Sequence, residues 1–251
     1  MIRCTIIFFI ILTASAFAQP EAHPHAQIFL GYAPYKMNEA KYSFQTGGEF
    51  DRSPIPSMIN VDQKKTENAV TFGGRFGVLV FQHDNPFRFN FDLEGDLNVF
   101  TGSFSSARFS LIIEPEFKRE SFIAPFLGVG INGYTIWGDI GEVGATNPQD
   151  LLLVAPDGHS YPIGSKISIT SNFLFGISTY IGLRFYTGEF NNIFVSGGYQ
   201  IAAEASKWNY EITDSNDSEQ RYSIPRNIFP QHPNAVNLDG LFFRIGFSFT
   251  P

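Results

Sequence analysis

Cysteine is almost absent from this chain: the single one, Cys4, lies at the very front. Methionine and tryptophan are nearly as scarce, at 3 and 2 in 251 residues. After residue 18 the sequence contains no apolar run approaching the roughly 20 residues that a membrane-crossing helix requires. Each shortage excludes something. One cysteine cannot form an intrachain disulfide, and thiol chemistry disappears with the segment that carries Cys4. The lack of a long apolar run excludes a transmembrane helix after residue 18. Positive charge is in deficit as well, with 17 Lys+Arg against 24 Asp+Glu and a net charge of −7. That balance argues against nucleic acid or another polyanion as a partner.

The front end reads as a secretory signal peptide. Arg3 supplies a positive start, Ile6 to Leu12 is an unbroken apolar run, and Ala16-Phe17-Ala18 is a small-x-small cleavage site before Gln19. Cys4 precedes the apolar run, so it is not placed for lipid attachment. The expected organisation is a signal peptide at 1–18, an N-terminal tail at 19–25 and one domain at 26–251. Loss of Arg3 takes Lys+Arg from 17 to 16 against 24 Asp+Glu, a net charge of −8. His23-Pro24-His25 offers two metal ligands on a tail, too few for a site, so neither a metal nor a cofactor is expected.

Phenylalanine is abundant, at 28 residues, and it recurs with a two-residue period. From Phe87 to Val99 the odd positions are Phe87, Phe89, Phe91, Leu93, Gly95, Leu97 and Val99. The even ones are Arg88, Asn90, Asp92, Glu94, Asp96 and Asn98. A β-strand sends successive side chains to opposite faces, so one face is hydrocarbon and the other polar. The same alternation marks eight strands, near Ala26–Tyr35, Ala69–Val80, Phe87–Phe100, Ala107–Phe117, Phe122–Thr135, Asn172–Tyr186, Ile193–Glu204 and Leu238–Phe249. Ten is the alternative count, if a hairpin around Leu151–Val154 joins them.

The connections alternate too. Links on one side are short, such as Lys118-Arg119-Glu120-Ser121, whereas three of the four on the other side run to about 33–36 residues. Short turns at one rim and long loops at the other are the signature of an antiparallel up-and-down transmembrane β-barrel. A soluble eight-stranded ligand-binding barrel is the competing architecture, with its apolar face inside.

The last strand carries a resemblance. Leu241, Phe243, Ile245, Phe247 and Phe249 alternate with Phe242, Arg244, Gly246 and Ser248. This resembles the terminal strand of bacterial outer-membrane proteins, which the barrel-assembly machinery reads during insertion; here Thr250 and Pro251 follow the aromatic. Pro125-Phe126-Leu127-Gly128-Val129-Gly130-Ile131-Asn132-Gly133-Tyr134 is similar to a strand of the porin-like outer-membrane β-barrel domain family. The resemblance covers essentially the whole mature chain. It implies a small barrel of the OmpA/OmpX type in the outer membrane of a Gram-negative-type cell. Members of that group are structural, adhesive, protective or narrow-pore proteins, so the resemblance fixes place better than activity.

The polar face supplies the candidate site. Arg75, Arg88, Arg108, Arg184 and Arg244 would share the lumen with Asp92, Glu94, Asp96, Glu114, Glu116 and Glu204. Eight strands leave room for little but side chains, and buried charges must pair, which favours a salt-bridged plug. The alternative is a narrow channel for small solutes, with Gly73, Gly77, Gly128, Gly130, Gly182, Gly198 and Gly246 on the same face. These glycines are expected to accommodate long neighbours such as arginine. Asp157-Gly158-His159-Ser160 holds a base, a hydroxyl and a carboxylate on a long loop, the pattern behind a distant rim-located lipid-modifying enzyme. Neighbours in sequence rarely converge on one reacting atom, and no catalytic residue is assigned. Tyr32, Tyr35, Tyr134, Trp137, Trp208 and Tyr210 are placed for membrane-interface girdles. The expected role is structural or surface-facing, as a monomer in outer-membrane lipid that displays its long loops to an extracellular ligand.

Overall fold

Alternation of apolar and polar side chains along every long strand leaves each strand with two unlike faces, and closing the sheet separates them. In the computed structural model the described residues are 21–33, 35–47, 49–66, 68–81, 87–100, 104–117, 122–144, 152–188, 191–203, 207–229 and 236–249. The signal segment, Glu204, the link at 101–103 and the turn at 118–121 lie outside them.

The strands are β1 (Glu21–Ala33), β2 (Ala40–Gln45), β3 (Met58–Gln63), β4 (Ala69–Phe81), β5 (Phe87–Phe100) and β6 (Phe104–Phe117). They continue with β7 (Ile123–Gly144), β8 (Leu152–Val154), β9 (Ser160–Pro162) and β10 (Lys166–Ser171). The last are β11 (Leu174–Tyr186), β12 (Asn192–Ala202), β13 (Trp208–Thr213), β14 (Arg221–Ile224) and β15 (Gly240–Phe249). Eight of them run β1-β4-β5-β6-β7-β11-β12-β15 and return to β1, every pairing antiparallel. The barrel therefore closes, and its strand count is eight. Both ends of the described chain lie at the rim with the short links, where Glu21 faces Phe81 and Ala26 faces Phe249.

The outer wall is apolar. Phe72, Phe76, Leu93, Phe109, Ile131, Phe175 and Ile181 are each more than 60% exposed. An exposed hydrocarbon surface continuous around a closed barrel is far larger than water tolerates on a soluble monomer, and lipid is the solvent that fits it.

Two expectations need correction. The segment at 19–25 is not a free tail from Glu21 onward: Glu21 to His25 pair with β4, and His25 is buried. The histidines and Pro24 mask the strand pattern, yet the alternation continues through them, with His25 and Gln27 inward and Ile28 outward. The long loops also fold. The upper half of β7 leaves the barrel and pairs with β3 on one edge and β10 on the other. With β2, β13 and β14 it makes a six-stranded sheet above the wide rim. Leu152–Val154 forms a separate hairpin with β9 instead of adding to the barrel.

This upper sheet inverts the barrel's logic. Of its inward side chains, Ile59, Ile140, Ile167, Ile169 and Ile212 are at most 1% exposed. Its outward ones include Lys166, Thr170, Asn209 and Arg221. Apolar inside and polar outside is the pattern of a protein in water. The sheet is a folded cap beyond the wide rim of the barrel.

Candidate functional site

The lumen is built on a division of charge between strands. Of its six predicted carboxylates, Glu204 lies outside the described residues and the other five come from neighbouring strands, with Asp92, Glu94 and Asp96 on β5 and Glu114 and Glu116 on β6. Arginines approach from several sides: Arg75 on β4, Arg88 on β5, Arg108 on β6, Arg184 on β11 and Arg244 on β15. All ten of these charged residues point inward, and only Arg88 is more than marginally exposed.

Glu94 is the hub. It accepts hydrogen bonds from Arg75 and Arg108, and from Arg244 Nη1 at 3.0 Å. Glu114 accepts from Arg75 Nη1 at 2.9 Å, from Arg184, and from the Tyr180 hydroxyl at 2.8 Å. Glu116 is held by Arg184 and Tyr186. Asp96 takes Arg108 Nε and Asn98 Nδ2, each at 2.9 Å. Asp92 stands apart from this network, with His25 Nε2 2.9 Å from its Oδ1. Five arginines against five carboxylates leave no net charge among the ten, which is what burial demands.

The opposite half of the lumen is carpeted with rings. The Arg184 guanidinium lies 4.6 Å from the Phe126 ring centre, and that of Arg244 lies 4.8 Å from Phe29 and 4.5 Å from Phe242. Arg75 lies 5.1 Å from Tyr180. The arginines thus bridge an aromatic wall and an acidic one, gaining cation–π contact on one side and ion pairs on the other. The inward glycines serve the rings more than the arginines. A Cβ on Gly128 would meet the Tyr180 ring at 2.0 Å, and one on Gly182 would meet Phe126 at 2.3 Å. Gly246 seats Phe194 and Gly73 seats Phe29 in the same way.

Above the charges the lumen turns apolar. Gln200 closes the polar layer: its amide donates to the Tyr35 hydroxyl at 2.8 Å and to the Leu238 carbonyl at 2.7 Å, and its oxygen accepts from Tyr134 and Arg108 at 3.3 Å. Tyr35, Phe100, Phe104, Ile136 and Val236 then ring a water-sized space of about 10 Å³. Tyr35, Tyr134, Trp208 and Tyr210 are buried, so they belong to this interior and the cap core, not to a girdle. Trp137 and Tyr32 do face outward at the rim, 38% and 45% exposed. Gln200 does not stand out in the sequence; the one signal for it is its inward register on β12, after Phe194, Ser196 and Gly198.

In the cap, two polar clasps hold the β8–β9 hairpin. Asp51 is 6% exposed and accepts from Thr46, from Ser53 N at 3.0 Å and from Ser57 N at 2.8 Å, while Arg52 N donates to the Val154 carbonyl at 2.9 Å. Burial pushes the Asp51 carboxyl up, but the bonds from Ser53, Thr46 and Ser57 outweigh it and hold it below the usual range. His159 is the second clasp. Its Nε2 is 2.8 Å from Asp214 Oδ2 on the β13–β14 turn. Asp214 is also held low, first by the Asn216 backbone N–H and then by His159. Asp157 meets the backbone of His159, at 2.9 Å, and not its ring. The predicted cluster is therefore opened out: its base pairs with a carboxylate from another loop. Among the described residues no three metal-ligating side chains come together.

No family model and no curated protein matches the chain. Among solved structures it is similar to Neisserial surface protein A, at 10% identity and a TM-score of 0.46 over 92% of this chain and 99% of that one. It is similar to the outer membrane protein OprG from Pseudomonas aeruginosa, at 10% identity and a TM-score of 0.44 over 92% and 97%. A major outer membrane protein from Thermus thermophilus gives 10% identity and a TM-score of 0.42 over 91% and 99%. The closed sheet, its apolar outer wall and its charged interior carry the assignment. The chain is a small eight-stranded transmembrane β-barrel of the outer-membrane type.

Proposed function

We propose that this protein is a closed, non-conducting barrel whose work is to anchor and present a folded extracellular cap. One observation carries the reading: the charged lumen is filled by its own paired side chains and lies beneath an apolar seal. Glu94, Asp96, Glu114 and Glu116 are all at most 5% exposed, and Tyr35, Phe100, Phe104 and Ile136 lie over them at no more than 4%. An open pore would instead wet its lining charges. The cap supports the other half of the reading, because its inward side chains extend the hydrophobic core of the lumen upward while its outer surface is polar. A partner would meet that surface from outside the cell.

The His159–Asp214 pair is read as a clasp between two hairpins and not as catalytic machinery, since its ring engages a carboxylate and no nucleophile is set against it among the described residues. Leu241, Phe243, Ile245, Phe247 and Phe249 line the outer face of the closing strand, the position from which the assembly machinery would read them. The barrel acts as a monomer in this reading.

The test is planar-bilayer conductance of the refolded mature chain, beside a variant whose 136–173 and 203–239 segments are replaced by short turns, since Tyr134 faces Leu174 and Gln200 faces Gly240. Silence from the intact protein is the expected result. Reproducible conductance steps that change when Glu94 or Arg108 is neutralised would overturn the reading and make the protein a narrow channel.

A further inference from the structure

The polar outer surface of the cap has one apolar exception. Among the described residues above Trp137, three large apolar side chains stand exposed: Ile55 at 48%, Leu152 at 45% and Ile163 at 44%. They come from three segments that hydrogen bonds draw together, with β8 in the middle. Arg52 N donates to the Val154 carbonyl at 2.9 Å and Ser57 Oγ to the Leu152 carbonyl at 3.1 Å, which ties the 52–57 loop to β8 at both ends. β9 pairs with β8 as well, with Leu152 opposite Pro162 and Ile163 next in the chain.

Local structure fixes each display. Ile55 stands between exposed Pro54 and Pro56, whose rings hold φ near −65°. Its loop is gathered by Asp51, which accepts from Ser53 N and Ser57 N, and by Ser53 Oγ, which donates to the Ile55 carbonyl at 2.6 Å. Ile163 is at the corner of a turn closed by Ser165 N on the Pro162 carbonyl at 3.0 Å, and Gly164 supplies the positive φ of 84° at its third position. Single exposed apolar residues are ordinary. Three gathered on one rigid platform are not, and such a platform binds without the entropy loss of ordering a loop.

Charge marks the edge of the patch. Arg52 is exposed, and among the described residues its guanidinium has no carboxylate partner and no side-chain hydrogen bond. The patch also crowns the molecule: Gly164 N donates to the Val143 carbonyl at 2.9 Å, near the top of β7. That level is about 26 Å of strand above Thr135, out of reach of the protein's own bilayer.

We infer that Ile55, Leu152 and Ile163, with Arg52 beside them, form a docking surface for an extracellular protein that offers an apolar pocket flanked by a carboxylate. The inference rests on the reading of the cap as a presented surface. Branched aliphatic side chains give a sugar neither a hydrogen bond nor a ring to stack on, so a glycan is the poorer occupant. A second copy is poorer too. The patch projects on turns, and a two-fold contact would set knob against knob, with polar surface around it in place of the roughly 800 Å² that each side of a standard interface buries. A different protein with a concave site fits the projection, and an unpaired arginine at its rim is the residue type that interfaces favour.

The experiment pans a phage-displayed library of random peptides against the intact mature protein in lipid nanodiscs. The expected binders carry Asp or Glu beside an apolar anchor. They lose affinity about ten-fold or more on Ile55→Ser, Leu152→Ser or Arg52→Glu, the size of a hot-spot loss, and are unaffected by Lys166→Glu. Exchanging the peptide's acid for arginine is expected to restore binding to Arg52→Glu, which shows that the variant is folded. Binders indifferent to all three positions, or without the charge exchange, would overturn the docking surface. So would two barrels per disc that separate on Leu152→Ser, since the occupant would then be a second copy. A separate arm uses Ile55→Cys, in a chain whose one other cysteine is Cys4, with a membrane-impermeant maleimide on intact cells. Labelling is the expected result. Protection until the cells are opened would refute the extracellular presentation itself, whereas labelling with patch-indifferent peptides would overturn the docking surface alone.

Discussion

At the scale of single residues, the lumen is a test of what buried charge costs. Glu94 receives three guanidinium groups, whereas Glu116 receives one arginine and one tyrosine. Removing an anion from such a cluster leaves cations uncompensated in a dry interior, which typically costs about 3–5 kcal/mol. Glu94→Ala is therefore expected to destabilise the barrel by about that amount, and by more than Glu116→Ala, in urea unfolding from lipid vesicles. Combining Glu94→Ala with Arg244→Met should recover part of the loss, because the second change removes one stranded cation. The glycines make a sharper pair. Gly128→Ala collides with the Tyr180 ring, so Tyr180→Leu should rescue it. Gly182→Ala also meets the Val195 carbonyl at 2.4 Å, and backbone cannot be trimmed away. Shrinking Phe126 is expected to leave Gly182→Ala destabilised by about 1–3 kcal/mol, read in the same unfolding assay. The inward placement of each charge was legible from alternation alone. Which carboxylate is the hub was not, because Glu94 meets Arg244 across 150 residues of sequence.

At the scale of the element, β7 shows where sequence reading stops and why. Its lower half places Leu127, Val129 and Ile131 outward and, Phe126 apart, small or polar residues inward. Its upper half places Ile136 and Ile140 inward and Asp139 outward. The backbone alternation continues unbroken through Thr135, while the hydrophobic phase slips by one residue. A reader following hydrophobicity therefore ends the strand near Thr135, nine residues early. The short cap strands suffer a related fate: each is three to six residues long, and their apolar faces make sense only against one another. Asp51 joins two of these segments, and its pH dependence follows from its lowered carboxyl. A carboxylate held below its unfolded value, about 3.9, contributes stability above that pH and loses it as acid protonates the folded form. Asp214 is lowered too and acts in the same direction. The cap should therefore be intact at neutral pH and loosen below about pH 4, while the barrel remains closed. Amide exchange at Val154 and Ser57, corrected for intrinsic rates, is expected to rise over that range. Asp51→Asn should bring fast exchange to neutral pH, at a cost of about 1–3 kcal/mol.

At the scale of the whole molecule, two opposite solvents meet along one continuous sheet. β7 is 22 residues long, about 70 Å at the usual strand rise of 3.2–3.4 Å per residue. A tilted crossing needs only about 9–11 residues, so the remainder must stand in water. The exchange of inside and outside chemistry between Ile131 and Asp139 marks the level where lipid gives way. That boundary makes a quantitative demand on outward positions of one strand. Arginine at the middle of the crossing should cost about 2–4 kcal/mol, and near the interface about 0–1 kcal/mol. Val129, outward and 45% exposed, lies near the middle of the β7 crossing, and Thr135 lies at its upper edge. Val129→Arg is therefore expected to lower the unfolding free energy in vesicles by about 2–4 kcal/mol, with Thr135→Arg nearly silent. Both positions sit on the same face of the same strand, so β-propensity and lumen packing cancel from the comparison. Equal costs at the two sites would mean that the belt does not meet hydrocarbon, and the apolar wall would then need another partner. Unequal costs in the stated order would place the cap, with both its clasps, above the membrane.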